Sequence, residues 1–410
     1  MVLRRIIPVV LLSIATLGWL QVSSTVDAQG EERRAWAFYM GFWAGQQSWD
    51  WQADVLTDYP AMGAYDSRDP GVAATHIDQA QSAGIDGFVV SWYGVDDQIT
   101  TTPVLNNMLD RAAERGFQVG AAFDAFDQSF SIESLTNSLN YLVNDRANHP
   151  AYLRYQGKPV IFFVFQGNLG LSIAEWQNVR NTVDPDRNTI WIAEGLNGCC
   201  LYGGAMDGMY AFNLAWANGS RSTYSTQRAR TLNAGGSLYI PMVHPGWDET
   251  LIAARDGRGN PTSPRARNDG QFLATSFNGA INSGANVIMV GTWNEFMENS
   301  HIEPSQQYGT QSLDTLRPLI ANWKAGNAGT GTASTATTTS TGVTEAPDYP
   351  AVQSTVRLNV RVGPSTNNRI IGTLIPGNWH RIIREEEGWI VVDYNGQEGY
   401  VSADFVTRNQ

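Results

Sequence analysis

The sequence predicts an α/β fold, a closed (β/α)8 TIM barrel, with a small all-β barrel behind it. Three observations predict it. From Ala35 to Lys324 strand-like apolar runs alternate with amphipathic helical segments, and no hairpin signal interrupts them. The last apolar run, Val287 to Val290, reads as a strand buried on both faces and breaks off into Thr292, Trp293, Asn294, Glu295 and Glu298. That is how a barrel strand delivers chemical groups to the mouth at the C-terminal ends of its strands. After a stretch of Thr, Ala, Gly and Ser, short alternating segments with glycine turns then take over.

Each element has its own signal. The strands are Ala35 to Trp43, Gly87 to Tyr93, Gln118 to Phe126, Pro159 to Phe165, Ile190 to Glu194, Asp207 to Asn213, Ser237 to His244 and Val287 to Val290. Asp69-Pro70 opens the first helix, which carries Val72, His76, Ile77 and Ala80 on one face and ends at Gly84. The second runs from about Pro103 to Arg115, capped by Gly116, and the third turns Ile132, Leu135, Leu139 and Leu142 inward. Further helices are read near Ser172 to Thr182, Tyr224 to Asn233, Gly270 to Asn282 and Gln311 to Lys324. Parallel strands with right-handed crossovers follow from the alternation, and the count selects closure. An open doubly wound sheet is the alternative, but no phosphate-binding glycine fingerprint follows the first strand.

At 410 residues the chain exceeds one ordinary core, so two domains are expected: 35–325, a linker at 326–350 and a second domain at 351–410. A net charge of −12 excludes a phosphate-tracking nucleic-acid surface and disfavours anionic membranes. With 14 Trp and 11% aromatic residues, stacking on neutral sugar rings is a fitting use of any surplus. Arg4, Arg5, the apolar run from Ile6 to Leu20 and Val26-Asp27-Ala28 read as a signal peptide over 1–28, which predicts a secreted or surface-associated protein with no membrane span after cleavage. Cys199 and Cys200 are adjacent, and in an oxidising compartment they form either a vicinal disulfide or two free thiols.

Glycosidic cleavage needs one carboxyl to protonate the leaving oxygen and a second group to handle the anomeric centre. Glu295 and Glu298 are three residues apart, which puts both on one side if the chain turns helically after Trp293. Glu303 follows closely. Asp124, Asp127 and Glu194 end other strands, where they are read as sugar-hydroxyl ligands or as caps and ion-pair partners. Trp92, Tyr93, Tyr210 and Trp247 sit at the same strand ends, with Trp293 and Asn294 beside the glutamates. His76 and His244 read as hydrogen-bonded structural residues, and Arg68 with Asp69 as an ion pair closing the first loop.

The pattern Trp-Asn-Glu-x-x-Glu-x-x-x-Ile-Glu-Pro over 293–304 resembles glycoside hydrolase family 99, the endo-α-mannosidase family. Tyr65 to Pro70, Gly84 to Tyr93, Asp207 to Asn213 and Ile240 to Asp248 are similar to that family's segments in the same order, so the likeness spans about Trp36 to Lys324. The resemblance implies a retaining route without metal or organic cofactor. Glu295 would deprotonate the sugar's own 2-hydroxyl; Glu298 would protonate the leaving oxygen and later activate water. Phe296, Asn299 and Ser300 depart from the family's usual wording, as does Phe38 to Trp43, which leaves the sugar open. The segment Ser354 to Val406 resembles the bacterial SH3 family through Leu358 to Ser365 and the closing Gly399-Tyr400-Val401. Its usual role implies attachment to a cell-wall or surface polymer. The expected function is therefore a secreted hydrolase of an α-linked, mannose-containing polysaccharide. Its rivals are a barrel glycosidase with carboxylates on distant strands, and a glycan-binding protein without catalysis.

Overall fold

The computed structural model describes residues 32–43, 51, 54–126, 130–259, 261–326, 350–354, 358–366, 368–374, 379–394 and 397–409. The signal-peptide segment, Asp127 and nearly all of the linker lie outside the described residues. The chain divides into two compact units, 1–334 and 335–410.

In the first unit the barrel strands are β1 (Arg34–Tyr39), β2 (Gly87–Trp92), β3 (Gln118–Asp124), β4 (Lys158–Val164), β5 (Ile190–Glu194), β6 (Gly208–Tyr210), β7 and β8 (Val287–Val290). Every pairing around the ring is parallel, in the order β1 to β7 with β8 against β1. The seventh strand is broken. Its first part, Leu238–Ile240, pairs with β6, and its second, Met242–Val243, pairs with β8. Pro241 stands between them and has no N–H to give a ladder, yet its carbonyl accepts from Met289 N at 3.0 Å, so the ring closes across the break. Helices α1 (Pro70–Ser82), α2 (Thr101–Arg115), α3 (Ile132–Asn144), α4 (Ile173–Val183), α5 (Arg221–Asn233), α6 (Thr250–Arg255), α7 (Gln271–Asn282) and α8 (Gln311–Lys324) surround it. Between β5 and β6 only a short 3-10 turn, Tyr202–Gly204, intervenes.

Local chemistry sets these boundaries. The Asp69 carboxylate caps α1 by accepting from Gly71 N at 2.7 Å, with Pro70 as first helical residue. Ser172 and Glu175 form a reciprocal capping box on α4. Gly116 ends α2 at φ +65°. Ile132 is 40% exposed, so the inner face of α3 is Leu135, Leu139 and Leu142, with Ser138 buried beside them. Arg68 pairs with Asp66, Nε to Oδ1 at 2.8 Å, and leaves Asp69 to its capping role.

Strand alternation divides the apolar residues into two layers. Trp36, Phe38, Val89, Ala122, Phe162, Ile192, Ile240, Val287 and Met289 fill the barrel interior. Ala37, Tyr39, Val90, Phe123, Phe163, Trp191, Ile288 and Val290 face outward against the helices. The interior is crowded: at Gly208 a Cβ would stand 2.3 Å from the Leu238 carbonyl oxygen, so only glycine fits.

The second unit is an antiparallel sheet of β9 (Ala351–Ser354), β10 (Leu358–Arg361), β11 (Ile370–Leu374), β12 (Trp379–Glu386), β13 (Trp389–Tyr394), β14 (Gln397–Ser402) and β15 (Val406–Arg408). Val352, Leu358, Val360, Leu374, Ile390, Val392 and Val401 form its core. The fold is SH3-like.

One charge is buried away from the mouth. Arg180 on α4 is fully enclosed, paired with Asp184 at 3.2 Å and Asp207 at 3.0 Å, and its guanidinium lies over Trp191 at 4.3 Å. It also donates to the carbonyls of Ala205 and Thr189. Arg180→Ala would leave two carboxylates facing each other and should cost about 3–5 kcal/mol. Chemical denaturation, read as a drop in midpoint at constant slope, checks this; a loss under 1 kcal/mol would refute it.

Candidate active site

The chain leaves β8 through Gly291 and Thr292 and turns sharply. Thr292 Oγ1 accepts from Glu295 N at 2.8 Å, and Ser300 N donates to the Glu295 carbonyl at 3.2 Å, so 295–300 is a closed turn. It is not helical, yet it brings Glu295 and Glu298 to one place. Two clamps hold it. Asn294 Oδ1 accepts from Met40 N at 2.7 Å, and its Nδ2 donates to the Met40 carbonyl, tying the turn to the exit of β1. On the other side Arg267, itself buried, donates through Nη2 to the Asn299 carbonyl at 3.0 Å and the His301 carbonyl at 2.8 Å.

Glu295 is buried at 4% exposure, and its Oε1 accepts from Met297 N at 3.0 Å. Glu298 is half-buried as a residue, but its Oε2 is out of solvent and has no hydrogen-bond partner. Burial first, then the charges of Glu295, Glu249 and Glu194, push its carboxyl well above the usual carboxylate range, with Arg258 opposing. Its surroundings therefore favour the protonated form of Glu298 over the carboxylate. Glu249 follows β7; burial pushes its carboxyl up, but Thr262 N, Arg258 and Trp247 Nε1 outweigh that and hold it below the ordinary value. Its charge thus stays on beside Glu298.

Two more carboxylates join from other strands. Asp124 at the end of β3 accepts from Ser91 Oγ at 2.7 Å and Phe126 N at 3.0 Å, and burial raises it to about 6. Glu194 at the end of β5 accepts from Phe165 N at 2.9 Å and is raised by burial and by Asp124. The mouth is thus strongly acidic. Among the described residues no group of three or more His, Cys, Asp or Glu side chains could hold a metal ion. A surface groove lined by Asn148, Arg154, Lys158, Asp184 and Thr189 lies at the opposite end of the strands, away from these carboxylates.

The aromatic and polar residues expected at the mouth part company here. Trp92 is fully buried because the alternation of β2 turns it out to the helices, where it stacks on Tyr141 and donates to Thr102 Oγ1. Trp293 likewise packs outward against His76 and Phe88. Tyr210 points into the barrel with 0% exposure and donates to the Phe163 carbonyl at 3.1 Å. Asn294 is spent on Met40 and on Tyr65. Glu303 is buried and binds the Tyr65 hydroxyl at 2.8 Å and His76 Nε2 at 3.2 Å. All five are buried and engaged within the protein, so none presents a surface at the mouth. Trp247 is 3% exposed and braces Glu249; Tyr93, directly after β2, is half-buried. Cys199 and Cys200 are joined as a disulfide whose sulfurs pack on Gly195, directly after Glu194.

The sequence model of glycosyl hydrolase family 99 matches residues 44–317, well over half of the chain. The chain belongs to glycosyl hydrolase family 99. The bacterial SH3 domain model matches residues 356–407. Among curated family relatives, a glycoprotein endo-alpha-1,2-mannosidase from Xenopus laevis is 26% identical over 60% of this chain and 58% of its own length. Its Mus musculus counterpart is 24% identical over 62% and 59%. The chain thus spans about three-fifths of the length of these relatives. A family 99 endo-alpha-mannosidase structure from Bacteroides thetaiotaomicron shares the fold, with a TM-score of 0.62 over 72% of this chain and 99% of that one at 23% identity.

Several contributors had no signal in the sequence. Glu249 and Arg258 fall in a polar loop, and Phe126, Phe165 and Trp216 look like strand or loop hydrophobics until their exposure of 65%, 38% and 50% is seen. The site region also has an acid limit. Burial pushes His244 down to about 4 and His301 down to about 3, so both are neutral in the fold. Each folded value is depressed, so the stabilisation is complete above about 6.5 and is lost as pH falls through 4 and 3. For His244 alone about 3 kcal/mol is at stake. The raised carboxyls of Asp124, Glu194 and Glu298 act in the opposite sense, so the check is a difference: in thermal melts His244→Gln should lose less stability than the wild type between pH 6.5 and 4, and an unchanged pH dependence would sink the assignment.

Proposed function

We propose that the protein is a secreted retaining glycosidase that cleaves an α-linked, mannose-containing polysaccharide. The observation that carries this is the pairing of Glu298, its Oε2 desolvated and unpartnered and its carboxyl pushed above the usual range, with Glu295 on the same turn. In the first step Glu295 takes the proton of the sugar's 2-hydroxyl and O2 bonds to the anomeric carbon. The leaving oxygen departs with the Glu298 proton. In the second step water gives a proton to Glu298 and bonds to the anomeric carbon; O2 leaves it and recovers its proton from Glu295. Ionised Glu249 has the task of keeping Glu298 protonated. Attachment through the SH3-like unit to a cell-wall or surface polymer would hold the enzyme near its substrate.

Product release from yeast mannan, α-glucans and β-glucans by the wild type beside Glu295→Gln and Glu298→Gln tests the reading. Release from mannan should fall about 10²- to 10⁴-fold in each variant. A variant that still binds glycan in a protein that never released product would identify a binding protein instead. Glu249→Gln makes a sharper test, because it removes a like charge and frees Arg258, both of which lower the Glu298 value. The alkaline limb of the kcat/KM profile should move to lower pH; a move to higher pH, or none, would remove Glu249 from the mechanism.

A further inference from the structure

Phe126 and Phe165 are large apolar side chains standing in solvent, 65% and 38% exposed, with ring centroids 5.2 Å apart and planes inclined at 53°. Single exposed hydrophobics need no explanation, but two paired at one strand end do. Phe165 pays for its position with a left-handed backbone at φ +51°, which a bulky residue rarely adopts without cause. Asn168 Nδ2 donates to the carbonyls of Ala125 and Phe126 and so holds the two segments together.

The pair is wired to the acidic mouth. The backbone N–H of Phe126 donates to Asp124 Oδ1, and that of Phe165 donates to Glu194 Oε2. Each exposed ring therefore sits one backbone bond from a carboxylate, and the Glu194 charge is felt at Glu298. An apolar face edged by hydrogen-bond acceptors matches a pyranose ring, whose C–H face is apolar and whose rim carries hydroxyl donors. The surrounding carboxylates disfavour any anionic occupant.

We propose that Phe126 and Phe165 form a stacking platform for a neutral pyranose unit of the glycan chain, adjacent to the unit being cleaved, with Asp124 and Glu194 accepting from its hydroxyls. This deepens the glycosidase reading and rests on it. It makes the enzyme select for chain length as well as for the bond cut.

The test uses the full chain and α-mannan oligosaccharides of increasing length. Phe126→Ala and Phe165→Ala should each raise KM about tenfold on the longer oligosaccharides, equivalent to about 1.4 kcal/mol, so that the preference for long over short substrates collapses. Phe126→Trp should restore it. A loss of equal size at every length, with no rescue by Trp, would overturn the platform. Calorimetric binding separates the two ideas. If Glu298→Gln binds the oligosaccharides and adding Phe126→Ala does not weaken that binding, the platform fails while the glycosidase reading stands. If Glu298→Gln binds no mannan or glucan oligosaccharide, the glycosidase reading fails and the platform with it.

Discussion

The site depends on one unfavourable arrangement, a carboxyl oxygen of Glu298 held out of water with no donor aimed at it and with other acidic side chains around it. A buried carboxylate without a partner is costly, and that cost shifts the balance toward keeping the proton. The proton is what an acid catalyst has to give. Nothing else in the turn would serve that end if a lysine or arginine reached Oε2. Arg258 instead spends its charge on Glu249 at 2.8 Å and opposes the effect only weakly.

Holding such a group requires a frame stiff enough to resist relaxation. The barrel supplies it by ending strands from different parts of the chain at one mouth, and the clamps supply the rest. Asn294 joins β8 to β1 through both its amide groups, while Arg267 grips the far side of the turn from the loop before α7. Beneath them Glu303, Tyr65, His76 and Tyr39 form a buried polar chain in which the hydrogen bonds run from Tyr65 to Glu303, to His76 and on to Tyr39. A network satisfied in this way rigidifies its surroundings, which is why residues so close to the turn of Glu295 and Glu298 carry little exposed surface.

Much of this was legible before any coordinates. The alternation of Gly87 to Trp92 with Thr101 to Arg115, and its repetition, is a period signal that composition cannot mimic, and the break after Val290 placed the two glutamates. What the sequence could not convey was direction. Trp92 and Trp293 carry the same aromatic label as a sugar-stacking residue, but Trp92 falls on the outward parity of its strand and Trp293, beyond the end of β8, packs with the same outer cluster. Conversely Phe165 was read as the last residue of a strand, whereas the strand stops at Val164 and the left-handed turn throws the ring outward. Glu249 was invisible because its importance is a charge delivered through space from a different loop.

The disulfide between Cys199 and Cys200 joins neighbours in sequence. Such a bond encloses almost no chain, so it removes little freedom from the unfolded state and adds little to global stability. What it fixes is local. Its sulfurs lie where a Cβ on Gly195 would be, under the residue that follows Glu194, and they brace the peptide from which that carboxylate projects. The bond between two sulfurs is thereby a local brace beneath one carboxylate of the acidic mouth.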